Sequence, residues 1–171
     1  YKRQIYKWLI ENDKYYNFCI SYKDYETYKR DGANVDKLLV CPNGAQHRDY
    51  HFTEKPLKPS WTLYLGRIEP RKRQYLYQDI YGVEFVGKYT DTTSFDRNRD
   101  CYLGQWEHEY KLQHVTDYGN MMLLSDGENG TPLVIKEALV AGLGVVVSKY
   151  AAHDLDTCLL YTSPSPRDQE A

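Results

Sequence analysis

Short apolar runs alternate with helix-like stretches over most of the chain. Four of the apolar runs indicate buried strands, at residues 61–66, 83–86, 121–124 and 145–147. A further short strand is predicted at Tyr102 and Leu103. Helices are predicted in between, over residues 70–80, 107–115 and 132–141. This alternation predicts an α/β fold, with a mainly parallel sheet covered by helices on both faces.

The first 44 residues follow a different pattern. They are rich in Tyr and Lys and predict helices at 1–10 and 22–30 around a short apolar piece at 17–21. A short strand from Asp36 then ends at Pro42, Asn43 and Gly44, a turn signal. We expect residues 1–44 to be the tail of an N-terminal domain with a hinge, in a fragment whose amino end is missing.

The last residues continue none of these patterns. From Cys158 to Asp168 the sequence resembles the translation of a transposase-type DNA-sequencing adapter. We therefore expect residues 158–171 to be a non-native tail and leave them out of the fold prediction. The second domain is then predicted to span residues 45–157 and to be truncated.

Composition limits the classes of partner. A net charge of −2 with 27% charged residues gives no global basic field, which argues against a nucleic-acid partner. Outside the tail, Cys19, Cys41 and Cys101 contain no C-x-x-C pair, so a reducing compartment is expected. No apolar run approaches the roughly 20 residues of a membrane span. The expected location is cytoplasmic, with peripheral membrane association left open.

The loop after the first strand of the second domain is basic. Residues 67–73 hold four cations and one anion, with Arg67 directly after the strand and Lys72 five residues later. Ligands of open parallel sheets gather at the carboxyl ends of the strands. Arg67 offers a fork and Lys72 a point charge to diphosphate oxygens. The alternative is a solvated, basic helix start.

A second loop, over residues 124–131, is rich in Gly and leads directly into a predicted helix that Thr131 can cap. Free N–H groups and the positive dipole end at such a position suit an anion. Glu137 lies about one and a half turns inside the helix, where it could accept two hydrogen bonds from a ribose diol; alternatively, it is an ordinary exposed glutamate. The loop at Leu103 and Gly104 is expected to approach the base.

Together these segments resemble the C-terminal domain of the family 4 type of retaining glycosyltransferases, which have two Rossmann-like domains (the GT-B fold). The resemblance covers roughly residues 36–156. Residues 40–44 resemble the interdomain segment, and Gly66, Arg67 and Lys72 match the G-R-x4-K diphosphate motif. The stretch from Glu128 to Glu137 is similar to the E-x7-E region, with a following helix that ends at Gly142.

The resemblance implies roles for individual residues. Arg67 and Lys72 would hold the donor diphosphate and neutralise the departing nucleotide, without a metal or other cofactor. Glu137 would bind the ribose, and Glu128 would contact the donor sugar. Glu128, however, lies nine positions before Glu137, and the residue eight before it is Asn129, so either could serve. The remaining predicted donor-binding residues are Gly66, Leu103, Gly104, Gly130, Thr131 and Leu133.

The resulting functional prediction is a retaining, hexosyltransferase-type enzyme that uses a nucleotide diphosphate sugar as donor substrate. The acceptor (glycan, lipid or protein) is unknown. The chemistry also needs the missing N-terminal domain, so the fragment alone is expected to be inactive. Two alternatives stay open: a non-catalytic nucleotide-sugar-binding pseudoenzyme, and a GT-B epimerase or phosphorylase.

Overall fold

The structure is a computed structural model that describes residues 2–90, 94–128, 130–152 and 155. The predicted non-native tail and Asn129 lie outside these residues. Nothing in the fold tests the proposed division at residues 44 and 157, which stays a prediction.

The amino-terminal part forms a small α/β unit with its own core. Helix α1 (Lys2–Glu11) is followed by strand β1 (Asn17–Cys19), helix α2 (Tyr22–Arg30) and strand β2 (Leu38–Val40). The two strands pair in parallel, with Asn17 opposite Leu38. Ser21 caps α2 by accepting a hydrogen bond from the Asp24 N–H at 3.1 Å. The core consists of Ile10, Cys19, Ala33 and Leu38.

The larger part is a four-stranded, all-parallel sheet. Its strands and helices are β3 (Lys58–Leu65), β4 (Val83–Val86), α3 (His108–His114), β5 (Tyr118–Leu123), α4 (Leu133–Val140) and β6 (Gly144–Val147). The strand order is β4-β3-β5-β6, and α4 packs on β5 and β6. The predicted fold class, a parallel α/β sheet with flanking helices, is confirmed.

The strands of this sheet form its core. They are continuous apolar runs, as expected when both faces of a parallel sheet are covered. Leu63, Tyr64, Phe85, Met121 and Leu123 are fully buried, and the rings of Tyr64 and Phe85 stack 5.6 Å apart. β5 begins at Tyr118, three residues before the predicted strand. Gly119 permits this because a Cβ there would lie 2.0 Å from the Pro59 carbonyl oxygen of β3.

The predicted helix over residues 70–80 is wrong. Two 3-10 turns, Pro70–Lys72 and Gln74–Tyr77, replace it. They meet at Arg73, the one described residue other than glycine with a positive φ, at 56°. A left-handed residue interrupts the helical hydrogen-bond pattern, so Lys72 lies in a tight turn and not in a helix.

Two other elements differ from prediction. Tyr102 forms an isolated bridge to Phe85 beside β4 in place of a full strand. Helix α4 begins at Leu133 with Pro132 in the N-cap position, where no side chain caps it. Thr131 therefore does not occupy the predicted capping position, because the helix begins one residue later than expected.

Candidate functional site

A cleft of about 400 Å³ opens at the carboxyl ends of β3 and β4. It brings together five of the predicted site residues: Gly66, Arg67, Lys72, Leu133 and Glu137. It also contains residues that sequence reasoning missed: Lys88, Gln105, Trp106, Lys111 and Val134. The cleft therefore lies at the edge of the sheet where ligands of open α/β folds bind.

Two glycines form the floor of the cleft where β3 and β4 end. A Cβ on Gly87 would lie 2.0 Å from the carbonyl oxygen of Gly66, so the two backbones are in direct contact. Gly87 also has a φ of +150°. At Gly66 a Cβ would meet the Lys72 side chain at an ordinary 3.5 Å. The close approach of these two turns keeps the floor open and brings their flanking cations together.

Four cations and one carboxylate line the cleft. Arg67 and Lys88 follow the ends of β3 and β4, are exposed, and form no ion pair with any residue that the structure describes. Lys88 could have been found from the sequence, because it follows a predicted strand at the same sheet edge. Lys72 is only 13% exposed and pairs with Glu128, with Nζ and Oε1 3.3 Å apart.

Glu128 pairs with Lys72 but does not line the cleft. Its Oε1 is also 3.0 Å from Nη1 of Arg71. Burial raises the pKa of this carboxyl, but the nearby Ser125 hydroxyl and the charges of Lys72 and Arg71 outweigh burial and hold its pKa below the usual range. The structure thus gives Glu128 two cationic partners, while Asn129, its alternative as sugar contact, lies outside the described residues.

The loops after β3 and β5 are tied together. The buried Tyr64 hydroxyl donates a hydrogen bond to the Lys72 carbonyl and accepts one from the Leu124 N–H at 3.0 Å. The Asp126 N–H donates to the Arg71 carbonyl at 2.9 Å, and the Arg73 guanidinium pairs with the Asp126 carboxylate at 2.7 Å. The turn that carries Lys72 is therefore fixed against the Gly-rich loop.

Glu137 lines the cleft from the middle of α4. Its two carboxylate oxygens are 3.2 and 3.1 Å from Nζ of Lys111 on α3. The α4 hydrogen-bond pattern begins with the Ile135 N–H, so the helix itself provides no acceptor for the N–H groups of Leu133 and Val134. The sequence alternative of an ordinary exposed glutamate does not describe this largely buried, ion-paired side chain.

The other predicted binding residues lie beside the cleft but do not line it. Leu103 borders a neighbouring cavity of about 350 Å³ with Gln105, Trp106 and Tyr110. Gly104, with a φ of +77°, accepts a hydrogen bond from the Gly87 N–H at 2.8 Å, which joins this loop to the cleft floor. Gly130 and Thr131 are buried in the loop before α4.

A cavity of about 450 Å³ lies elsewhere, near the amino ends of β3 and β4 around Trp61 and Gly82. Its charged residues include Arg99, which pairs with Asp79 at 2.6 Å. It is slightly larger than the cleft, but it lies at the end of the sheet away from the Gly-rich loops. We therefore place the candidate site in the carboxyl-end cleft, where unpaired cations and a helix start converge.

Within the described ranges, no group of three or more His, Cys, Asp and Glu side chains could hold a metal ion. None of the helices described there is both long and apolar enough to cross a membrane.

The sequence matches no protein-family profile and no curated protein. The fold is similar to several solved structures. HepE of Anabaena in complex with UDP-glucose matches with a TM-score of 0.61 at 15% identity, over 90% of this chain and 51% of that one. TarM of S. aureus matches with 0.66 at 15% identity, over 98% and 37%. Sucrose-phosphate synthase of Thermosynechococcus elongatus matches with 0.64 at 17% identity, over 88% and 44%.

These proteins are GT-B glycosyltransferases, and at such low identity the likeness establishes the fold alone. The chain has the α/β architecture of a GT-B glycosyltransferase domain and spans about half or less of the length of these three proteins.

Proposed function

We propose that this chain carries the donor-binding half of a retaining glycosyltransferase, which transfers a hexose-like unit from a nucleotide diphosphate sugar to an acceptor. The observation that carries the proposal is the cleft itself, which is lined by four cations and one largely buried carboxylate at the strand ends of a GT-B fold. The binding of UDP-glucose by HepE supports this class of ligand.

The cations of the cleft suit a diphosphate. Arg67 and Lys88 are unpaired within the described structure, and Lys72 is fixed beside them in a tight turn. Cations that converge on one cleft attract a multiply charged anion more strongly than isolated surface charges do. In the proposed reaction Arg67 and Lys72 stabilise the charge that develops on the departing nucleotide.

The Glu137 carboxylate suits a neutral diol such as that of a ribose. Glu137 can accept hydrogen bonds from two adjacent hydroxyls, because an ionised carboxylate has about four lone-pair positions. The donor sugar is attached to the diphosphate on the side away from the ribose, and it would lie near the Gly-rich loop with Glu128 or Asn129 as its contact. Because Glu128 is held by Arg71 and Lys72, its contribution to the reaction would depend on a change in those ion pairs.

The first test separates the phosphate and ribose roles. Arg67→Ala and Lys72→Ala each remove a charge-assisted contact, so affinity for the best ligand among UDP, GDP and ADP should fall roughly 10- to 100-fold, with nucleoside binding almost unchanged. Glu137→Ala should weaken nucleoside and nucleoside diphosphate by similar factors. Calorimetry or NMR titration measures both. Unchanged diphosphate affinity in the Arg67 and Lys72 variants would make the basic loop a solvated surface.

The second test addresses the reaction. A longer protein that contains the N-terminal domain should release nucleoside diphosphate from labelled donor and form a product with the donor's anomeric configuration, read by NMR. Conversion of the free sugar nucleotide to an epimer, or phosphate-dependent cleavage, would favour the epimerase or phosphorylase alternative. Tight donor binding without turnover would favour a pseudoenzyme.

A further inference from the structure

Lys111 meets Glu137 from a different element, helix α3. Its Nζ lies almost equally far from the two carboxylate oxygens, at 3.2 and 3.1 Å. Both side chains are largely buried, with 18% of Lys111 and 22% of Glu137 exposed. One ammonium that bridges both oxygens restricts the rotation of the carboxylate about its last bond.

Tyr50 restricts the ammonium in turn. Its ring centroid is 5.5 Å from Nζ of Lys111, within the range of a cation–π contact. Tyr50 is buried, with 7% of the residue exposed, so packing holds its ring in place. The Lys111 ammonium is therefore held between an aromatic ring and the Glu137 carboxylate.

We infer that Lys111 is a positioning residue for ribose recognition. It occupies one acceptor position on each Glu137 oxygen, which leaves further lone pairs on both for the 2′- and 3′-hydroxyls of a ribose. This inference rests on the proposed role of Glu137 in nucleotide-sugar binding. It assigns to α3 a part in the site that neither the motifs nor the strand-end rule indicated.

The test must separate positioning from simple charge, because Lys111 also lines a cleft proposed to hold an anion. We use the nucleoside diphosphate that binds most tightly among UDP, GDP and ADP, together with its 2′,3′-dideoxy form. Both ligands carry the same diphosphate, so a loss of positive charge weakens them equally. Only the loss of an oriented Glu137 weakens the ribose form more.

In the full chain, Lys111→Met should weaken the ribose form about fivefold more than the dideoxy form, the equivalent of one ordinary hydrogen bond. Lys88→Met, a matched removal of a cleft cation, should weaken both forms by the same factor. Lys111→Arg should restore the preference for ribose. In a Glu137→Gln background the extra effect of Lys111→Met should vanish, as expected when one residue acts through the other.

Equal losses for the two ligands in Lys111→Met would overturn the inference, and so would an extra effect that persists in the Glu137→Gln background. Circular dichroism checks that the variants fold. Lys111→Gln, which can still donate to one carboxylate oxygen, supplies a second variant and should give an intermediate loss. If the unsubstituted chain bound none of the three diphosphates, the proposed function would fail, a result distinct from either outcome above.

Discussion

At the scale of single residues, Glu128 shows how a carboxylate in a binding loop can also stabilise the fold. It lies within 3.0 Å of Arg71 and 3.3 Å of Lys72, and only 14% of its side chain is exposed. Its partners keep its pKa below the usual 4.5 despite burial. A carboxyl whose pKa is lower in the folded state contributes stability above its unfolded pKa and loses it as the pH falls through the folded pKa.

Glu128→Gln should therefore lower the free energy of unfolding at pH 7 by about 1–2 kcal/mol. The loss is limited because Arg71, one of the two cationic partners, is partly solvated. The difference between variant and parent should shrink below pH 4.5, where the carboxyl of the unfolded chain protonates, and should be lost as the pH falls through the lower pKa of the folded state. Denaturant unfolding between pH 7 and pH 3 measures this. Glu26→Gln, on an exposed pair with Lys29, is the control and should change little. Parallel stability curves for Glu128→Gln and the parent would contradict the prediction.

Residues of the candidate site differ in how far the sequence could identify them. Arg67 and Lys72 follow a predicted strand and match a spaced motif, and the structure brings both into one cleft with Glu137. Their functional roles stay predictions. Lys111 could not be found, because it lies 26 residues from Glu137 on an otherwise unremarkable helix. Only the tertiary fold brings these side chains of α3 and α4 together.

At the scale of elements, the turns that end β3 and β4 depend on backbone contact. Gly87→Ala should lower the free energy of unfolding by at least about 2 kcal/mol, because the new methyl group meets the Gly66 carbonyl and a φ of +150° strains an L-residue. Thermal and denaturant unfolding measure the loss. Gly66→Ala is the matched control and should cost less, since only the flexible Lys72 side chain lies nearby. Equal losses in the two variants would contradict this account of the cleft floor.

Strands were easier to predict than the turns that carry the chemistry. Continuous apolar runs identified the four strands, because a parallel sheet buried on both faces requires them. The helix expected at residues 70–80 failed because Arg73 adopts a left-handed conformation that local sequence does not favour. The Asp126 carboxylate pairs with Arg73 from 53 residues away, a long-range contact that no local pattern contains.

At the scale of the whole molecule, the described chain has two separate apolar clusters. One belongs to the amino-terminal unit of α1, α2, β1 and β2, and the other surrounds the four-stranded sheet. The structural neighbours are about twice as long as this chain or longer. We therefore propose that a complete catalytic cleft needs residues in addition to those of this chain, and that the sheet unit binds the nucleotide.

The carboxyl-terminal segment gives a prediction at this scale. If residues 158–171 are adapter-derived, deleting them should leave the free energy of unfolding unchanged within about 0.5 kcal/mol, as for a surface segment without packed contacts. Denaturant unfolding of the full chain and of residues 1–157 makes the comparison. A loss of several kcal/mol would show that the segment packs on the fold, and the same segment in the genomic locus would rule out an adapter origin.

The Tyr64 hydroxyl has a consequence for motion in the cleft. Since it bonds the turn that carries Lys72 on one side and the start of the Gly-rich loop on the other, neither can open without breaking a buried hydrogen bond. Hydrogen exchange at the Leu124 amide would then report the opening at the start of the Gly-rich loop. A ligand that enters this cleft meets loops already ordered with respect to each other, so little conformational entropy remains to be lost on binding.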